Sequence, residues 1–260
     1  MKKIETKRIF IVVKAYPNPS RKYGETVCCA GVDLTNYKLV RLYPIPFRDL
    51  DNEQKFKKYS IVEVNCFPPS DDKRPESLRV DPDSIKVIGA FDTDKGTWGR
   101  RKDIVLNVPI KSMCQVYGEA ESDDVSLGLI KPEHVTFEWA KQSLSNQGAR
   151  EACYAQLNLF IKQKTPIEEI PLDFYYKFKC ANIAECPGHK LSIIDWELRQ
   201  SYRIWRIRYP NESVLLEKIE QKWLDMANTT KNDVCFYVGN MKRFRNIFMV
   251  LGVFYPPKSN

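Results

Sequence analysis

The chain has 260 residues, long enough for one large domain or two ordinary ones with a substantial core, and its 43% hydrophobic and 28% charged residues give the balance of an ordinary globular protein. A formal charge of +8 favours a polyanionic partner. The apolar runs at 9–13 and 248–255 are too short for a signal-peptide core or a membrane span, which excludes export and insertion and leaves a cytoplasmic, non-membrane protein as the expectation.

In chain order, the first half reads as β-rich. "RIFIVVKAY" is a strand by its β-branched and aromatic content, and "PNPSRKYGE" is a loop punctuated by proline and glycine. "TVCCAGVDL" and "YKLVRLYPI" pair around "DLTNY". "FRDLDNEQKFKKY" is a helical turn or short helix, followed by the strands "SIVEVNCF" and "SIKVIGAF" on either side of the loop "PPSDDKRPES". These elements define a β-rich domain over 1–92, a small half-closed sheet or barrel.

Residues 93–132 read as a connecting segment, with "DIVLNVPI" as a strand and "EAESDD" as a loop. From 133 to 260 an α+β domain is expected, so the whole is an α+β fold with its β-rich half packed against a mixed helix and antiparallel-strand half. Helical character runs through "PEHVTFEWAKQSL" and "AREACYAQLNLFIKQ", separated by "SNQG", and "LDFYYKFKC" alternates as a strand. "LSIIDWELRQSYRIW" is helical by the recurrence of Leu191, Ile194, Leu198, Tyr202 and Trp205. "SVLLEKIEQKWLDMA" is a second amphipathic helix with Ser213 as N-cap and Val214, Ile219, Trp223 and Met226 near one stripe. "DVCFYVG" and "NIFMVLGVFY" form an antiparallel hairpin around the basic loop "NMKRFR".

The densest polar cluster is "CANIAECPGHKLSIIDWEL". Cys180, Cys186 and His189 have the spacing C-x5-C-x2-H, and thiolates and imidazole are the donors zinc prefers. Pro187 and Gly188 supply the tight turn a chelating loop requires. A structural site wants a fourth ligand, for which Cys153, Cys114, Cys235 and Asp195 are the alternatives. The competing reading makes both cysteines buried apolar groups and His189 a turn cap. The spacing lacks the four cysteines of an iron–sulfur site. The remaining cysteines, with Cys28 and Cys29 adjacent in an apolar run, read as core residues of a reduced protein. On a helix Asp195 and Glu197 point about 200° apart, so they serve the helix start rather than share a metal. Asp195 would form an i,i+4 ion pair with Arg199. A catalytic alternative places His189 and Asp195 around a metal-bound water.

Basic residues interleaved with aromatics suit nucleic acid, since cations meet phosphates and rings stack on unpaired bases. Arg199, Arg203 and Arg206 lie on one helix face, Arg243 and Arg245 in the hairpin loop, and Trp98, Arg100 and Arg101 in "TWGRRK". Arg21 and Lys22 occupy the first loop, and Arg41 sits within an otherwise apolar strand where it is paired or reads a ligand. Arg74 and Glu76 read as a surface turn, and His134 as a surface residue at a helix start. No G-x-S-x-G, HExxH, G-x-G-x-x-G or Walker signature occurs. The leading expectation is a nucleic-acid-binding protein with a structural metal site. A metal-dependent, nuclease-like hydrolase and a protein-interaction module with a basic face are the alternatives.

Overall fold

A computed structural model describes residues 3–20, 24–122, 124–142 and 170–258. Its fold is mixed α+β and β-rich. The first strands are β1 (Glu5–Lys14), β2 (Asn18–Ser20), β3 (Gly24–Asp33), β4 (Lys38–Ile45), β5 (Ser60–Phe67), β6 (Ser77–Val80) and β7 (Lys86–Ala90). β1 is long enough to pair with β5 through its first half and with β3 through its second. The remaining pairs β3–β4, β4–β6 and β6–β5 close a five-stranded barrel in which only β4–β6 is parallel.

Alternation along β1 explains why "IFIVV" carries no polar residue. Ile9 and Ile11 point into the barrel with Val27, Cys29, Leu42, Val62 and Val64. Phe10, Val12 and Val13 point outward yet are equally buried, because the barrel wall is covered by a second sheet. Where β3 crosses β1, the backbones lie so close that a Cβ on Gly31 would stand 2.7 Å from the Phe10 carbonyl oxygen.

The second sheet has seven strands in the order β10-β11-β12-β14-β13-β9-β8. They are β8 (Ile110–Lys111), β9 (Leu127–Ile130), β10 (Pro132–Lys141), β11 (Leu172–Cys180), β12 (His189–Ile193), β13 (Cys235–Asn240) and β14 (Phe248–Phe254). The helices α1 (Gly99–Val105), α2 (Met113–Glu121), α3 (Trp196–Arg208) and α4 (Glu212–Met226) are the four among the described residues. β13 splits its side chains between two cores: Phe236 and Val238 face Leu198, Ile219 and Trp223 of the helices, whereas Cys235 and Tyr237 face the barrel with Leu129, Leu251 and Phe254. The layers are therefore helices, sheet and barrel. No described helix is long and apolar enough to cross a membrane.

Several expected elements take another form. "PEHVTFEWAK" is strand β10, not a helix. Val135, Phe137 and Trp139 follow a two-residue period, and β11 supplies the partner, with Glu138 bridged to Lys177 and, at 2.9 Å, to Lys190. "DIVLNVPI" divides into the end of α1 and the short β8. "EAESDD" begins inside α2, whose start is a capping box between Ser112 and Gln115. "FRDLDNEQKFKKY" forms turns rather than a helix. The helix expected from Leu191 begins only at Trp196, after β12, because Asp195 caps it by accepting from the Glu197 backbone N–H at 2.7 Å. α4 is capped by Asn211, two residues before Ser213, and buries Ile219, Trp223 and Met226 while Val214 stays exposed. The helix expected over "AREACYAQLNLFIKQ", with Cys153, lies outside the described residues. Residues 93–132 carry α1, β8, α2 and β9, and so contribute strands to the second sheet.

Polar groups tie the layers together. The Arg74 guanidinium grips Asp72 with two hydrogen bonds, Nε to Oδ1 at 2.9 Å and Nη2 to Oδ2 at 2.7 Å, and donates through Nη1 to the Asn240 carbonyl at the end of β13. Burial raises the Asp72 carboxyl, but the Arg74 contacts and the Ser77 hydroxyl outweigh it and hold the group at about 2. The folded value lies below the unfolded one of about 3.9, so this stabilisation is complete above about pH 4 and fades as pH falls toward 2. Urea unfolding should show a declining midpoint over that window, and Asp72→Asn should be less stable at neutral pH with a flatter acid limb. An unchanged acid limb contradicts the assignment. Gly31→Ala should cost about 1–3 kcal/mol in the same assay, because the β1–β3 crossing has no room for a methyl group. A neutral effect would mean that the crossing is looser than described.

Candidate metal centre and nucleic-acid interface

Four side chains, one from α2 and three from the β11–β12 hairpin, converge beside the helical core. Cys114 is the second residue of α2, Cys180 ends β11, Cys186 lies in the following loop and His189 opens β12. Their ligand atoms all lie within 4.8 Å of one another. His189 Nε2 stands 3.3 Å from the sulfurs of Cys180 and Cys186 and 3.5 Å from that of Cys114. The Cys114 sulfur is 3.7 Å from that of Cys180 and 3.9 Å from that of Cys186. These separations are far beyond the roughly 2.05 Å of a disulfide. Five edges of 3.3 to 3.9 Å, with every donor within 4.8 Å of the others, describe a cluster compact enough to hold one metal ion.

Local sequence builds each corner. The Cys180 backbone N–H donates to the Cys186 sulfur at 3.2 Å, which closes the loop on itself. Gly188 adopts φ +84, a left-handed conformation that a residue with a Cβ rarely takes, and this turns the chain back so that His189 faces Cys186. Burial raises the Cys186 thiol, but N–H groups of Cys180 and Gly188 outweigh it and bring the group below its ordinary value, favouring thiolate. Burial pushes the Cys114 thiol up to about 12, with the neighbouring cysteines adding to the effect. Three sulfurs this close need a cation before they can all ionise. The His189 ring stacks on Tyr117, one turn along α2 from Cys114, with centroids 5.8 Å apart, and tilts against Phe178 at 5.4 Å.

Of the four alternatives for the remaining ligand, the fold selects Cys114. Cys235 faces the barrel side of the sheet. Asp195 lies outside the cluster, so it does not join His189 around a shared ion. Asp195 instead binds the Lys58 ammonium of the barrel at 3.3 Å, and Glu197 binds the same ammonium at 3.2 Å. Burial raises the Asp195 carboxyl, opposed by the Lys58 charge. The expected Asp195–Arg199 pair gives way to Arg199–Asp173 at 3.3 Å.

The nominated basic and aromatic residues take different places in the structure. Trp98 and Arg101 are buried rather than presented: Trp98 packs against Tyr59, Phe254 and Tyr255, and Arg101 lies 3.9 Å over the Tyr59 ring while donating to the Phe91 carbonyl. Arg100 is exposed but held by Asp92 and Asp94. Arg21 and Lys22 lie outside the described residues. Arg41, Arg199 and Arg243 instead meet along one cleft between barrel and sheet. Arg203 is half-buried, next to Gln200, and Arg206 is exposed farther along the same helix face. Arg245 is half-buried in the β13–β14 loop. Arg74 is not a surface turn residue but a buried tie between the layers, and Glu76 accepts the backbone N–H of Ser126 at 2.9 Å. His134 is an exposed surface residue, as expected, but it stands at the start of strand β10, with φ +52, and not at a helix start.

Residues 109–260, more than half of the chain, match the family model described as Domain of unknown function (DUF8757), and the chain belongs to that family. Residues 5–107, which hold the barrel, match the model described as Domain of unknown function (DUF8758). All four clustered donors fall within the first of these matches. No curated protein matches the sequence.

If the cluster holds an ion, Cys114→Ser and His189→Ala should each lower the thermal midpoint by about 10 °C or more and abolish its sensitivity to a chelator. Cys66→Ser, at a buried thiol elsewhere in the barrel, should keep that sensitivity. A chelator-insensitive parent protein contradicts the assignment.

Proposed function

We propose that the chain is a cytoplasmic nucleic-acid-binding protein whose C-terminal half is stapled by zinc. Zinc–sulfur bonds of about 2.3 Å and zinc–nitrogen bonds of about 2.0–2.1 Å in a tetrahedron imply S···S edges near 3.8 Å and S···N edges near 3.6 Å. The edges of 3.7, 3.9, 3.3, 3.3 and 3.5 Å lie close to those values. A Cys3His set supplies four protein ligands and leaves no open position for a reacting water, which favours a structural role over the hydrolytic one.

The observation that carries the nucleic-acid reading is the barrel face turned toward the cleft. The barrel's strand order, with its single parallel pair, is that of a five-stranded Greek-key barrel of the OB type, and such barrels bind oligonucleotides on the face of their second and third strands. Here those strands are β3 and β4, and they direct Thr26, Cys28, Arg41 and Tyr43 into the cleft. Fold likeness alone does not assign function, so the reading rests on the charge and rings gathered there. Six cations line the cleft against the three carboxylates Asp71, Asp72 and Asp173, and Tyr16, Tyr43 and Tyr175 provide planar rings.

Fluorescence anisotropy with a labelled single strand tests this. Affinity should fall by roughly 10² to 10³-fold from 50 to 200 mM salt if about six phosphates are engaged. Arg243→Glu should weaken binding and make the salt dependence shallower. Elemental analysis of the same preparation should find one zinc per chain. Absent binding, or a flat salt response, overturns the nucleic-acid reading, and a metal-free folded protein overturns the zinc staple.

A further inference from the structure

The cleft between β3–β4 of the barrel and the sheet encloses a cavity of about 710 Å3. That lies within the roughly 300–1,000 Å3 range of small-ligand sites, and is far too confined for a duplex about 20 Å across. Its chemistry is divided. Val13, Ala30, Leu127 and Leu251 form an apolar floor, and Tyr43 and Tyr175 stand on opposite walls, one from the barrel and one from the sheet.

The cations differ in how they are already engaged. Arg74 is saturated by Asp72 and the Asn240 carbonyl, and Arg199 is bonded to Asp173. Arg79 and Lys242 share Asp71, at 2.6 and 3.3 Å. Arg41 is different. The residue is 3% exposed, yet its guanidinium hydrogen bonds go to the Ser126 hydroxyl at 2.7 Å, the Ser126 carbonyl at 2.9 Å and the Ser77 hydroxyl at 3.3 Å, with no carboxylate bonded to it. Arg243, at the mouth, is exposed and forms no ion pair among the described residues. A buried guanidinium held in place by neutral oxygens keeps its positive field for a ligand, whereas one locked to a carboxylate does not.

We infer that this cavity takes a single unstacked nucleotide, its base on the apolar floor between the tyrosines and its phosphate between Arg41 and Arg243. The inference rests on the nucleic-acid reading and adds that recognition occurs one nucleotide at a time, inside the protein. A strand lying on the outer basic surface alone would leave the cavity unused. The tyrosines stack on either face of a planar base, and the two arginines require the anionic end, so neither half of the ligand should suffice alone.

The test compares the four ribonucleoside 5′-monophosphates with inorganic phosphate and with the free nucleosides by calorimetry, beside anisotropy with an oligonucleotide. At least one monophosphate should bind ten-fold or more tighter than phosphate or its own nucleoside. Cys28→Phe, which fills the cavity from β3, should weaken that binding at least ten-fold. Should that variant fail to fold, the unmodified protein supplies the answer, because Cys28 lines the cavity while Cys29 points into the barrel. Alkylation of Cys28, mapped by peptide mass, should slow several-fold with the monophosphate and not with phosphate. An oligonucleotide that binds while every monophosphate fails overturns the pocket and leaves the surface reading standing. A monophosphate that binds while the oligonucleotide fails does the reverse. Equal binding of phosphate and monophosphate reduces the cavity to an anion site and overturns the inference.

Discussion

Three sulfurs and an imidazole brought within 4.8 Å of one another, from positions as far apart as 114 and 189, are the constraint on which the C-terminal half depends. An ion at their centre would fasten the first turn of α2 to the β11–β12 hairpin. That fixes where β12 starts, since His189 is its first residue. β12 runs directly into Asp195, and Asp195 does two things at once: it caps α3 and receives Lys58 from the barrel. α3, with Arg199 beside Asp173 at the cleft wall, is thus joined to the Cys3His cluster through one short strand.

The barrel and the sheet are joined over an apolar face, but their polar ties decide what that face can do. Lys58 with Asp195 and Glu197, Arg74 with the Asn240 carbonyl, and Arg41 with Ser126 all cross from one layer to the other. Each buried cation is oriented by groups it cannot leave without a desolvation cost. Gly239 makes one of these crossings possible: a Cβ there would meet Leu127 and Leu251 at 2.8 Å and the Arg41 guanidinium at 3.3 Å. The cleft is thus a consequence of how the two layers are held, with its positive charge set by the partners each arginine has or lacks.

Much of the sheet structure was legible because its strands are rich in β-branched and aromatic residues. β1, β3, β4, β5, β11, β13 and β14 all announce themselves in this way. β10 did not: Val135, Phe137 and Trp139 keep the two-residue period of a strand, but Pro132 and Glu133 read as a helix start, and the pairing with β11 decides between them. β6 is four residues long and is recruited by parallel pairing with β4, which local sequence cannot express. The capping box at Ser112–Gln115 was a readable signal for α2, and it would have drawn attention to Cys114 two residues inside the helix. Three of the four cluster residues were found from spacing alone. The fourth needed the fold, because 66 residues separate it from Cys180. For the arginines, basic and aromatic interleaving could not distinguish Arg101, buried over Tyr59, from Arg243, exposed at the cleft mouth. Burial of a guanidinium is a property of the layers around it.

X-ray absorption at the metal edge of the purified protein reads the identity and the ligands of the ion together. A Cys3His zinc site should give a zinc edge with three sulfurs at about 2.3 Å and one nitrogen at about 2.0–2.1 Å, and one sulfur fewer in Cys114→Ser. A first shell dominated by oxygen, or a spectrum indifferent to the loss of Cys114, would contradict it.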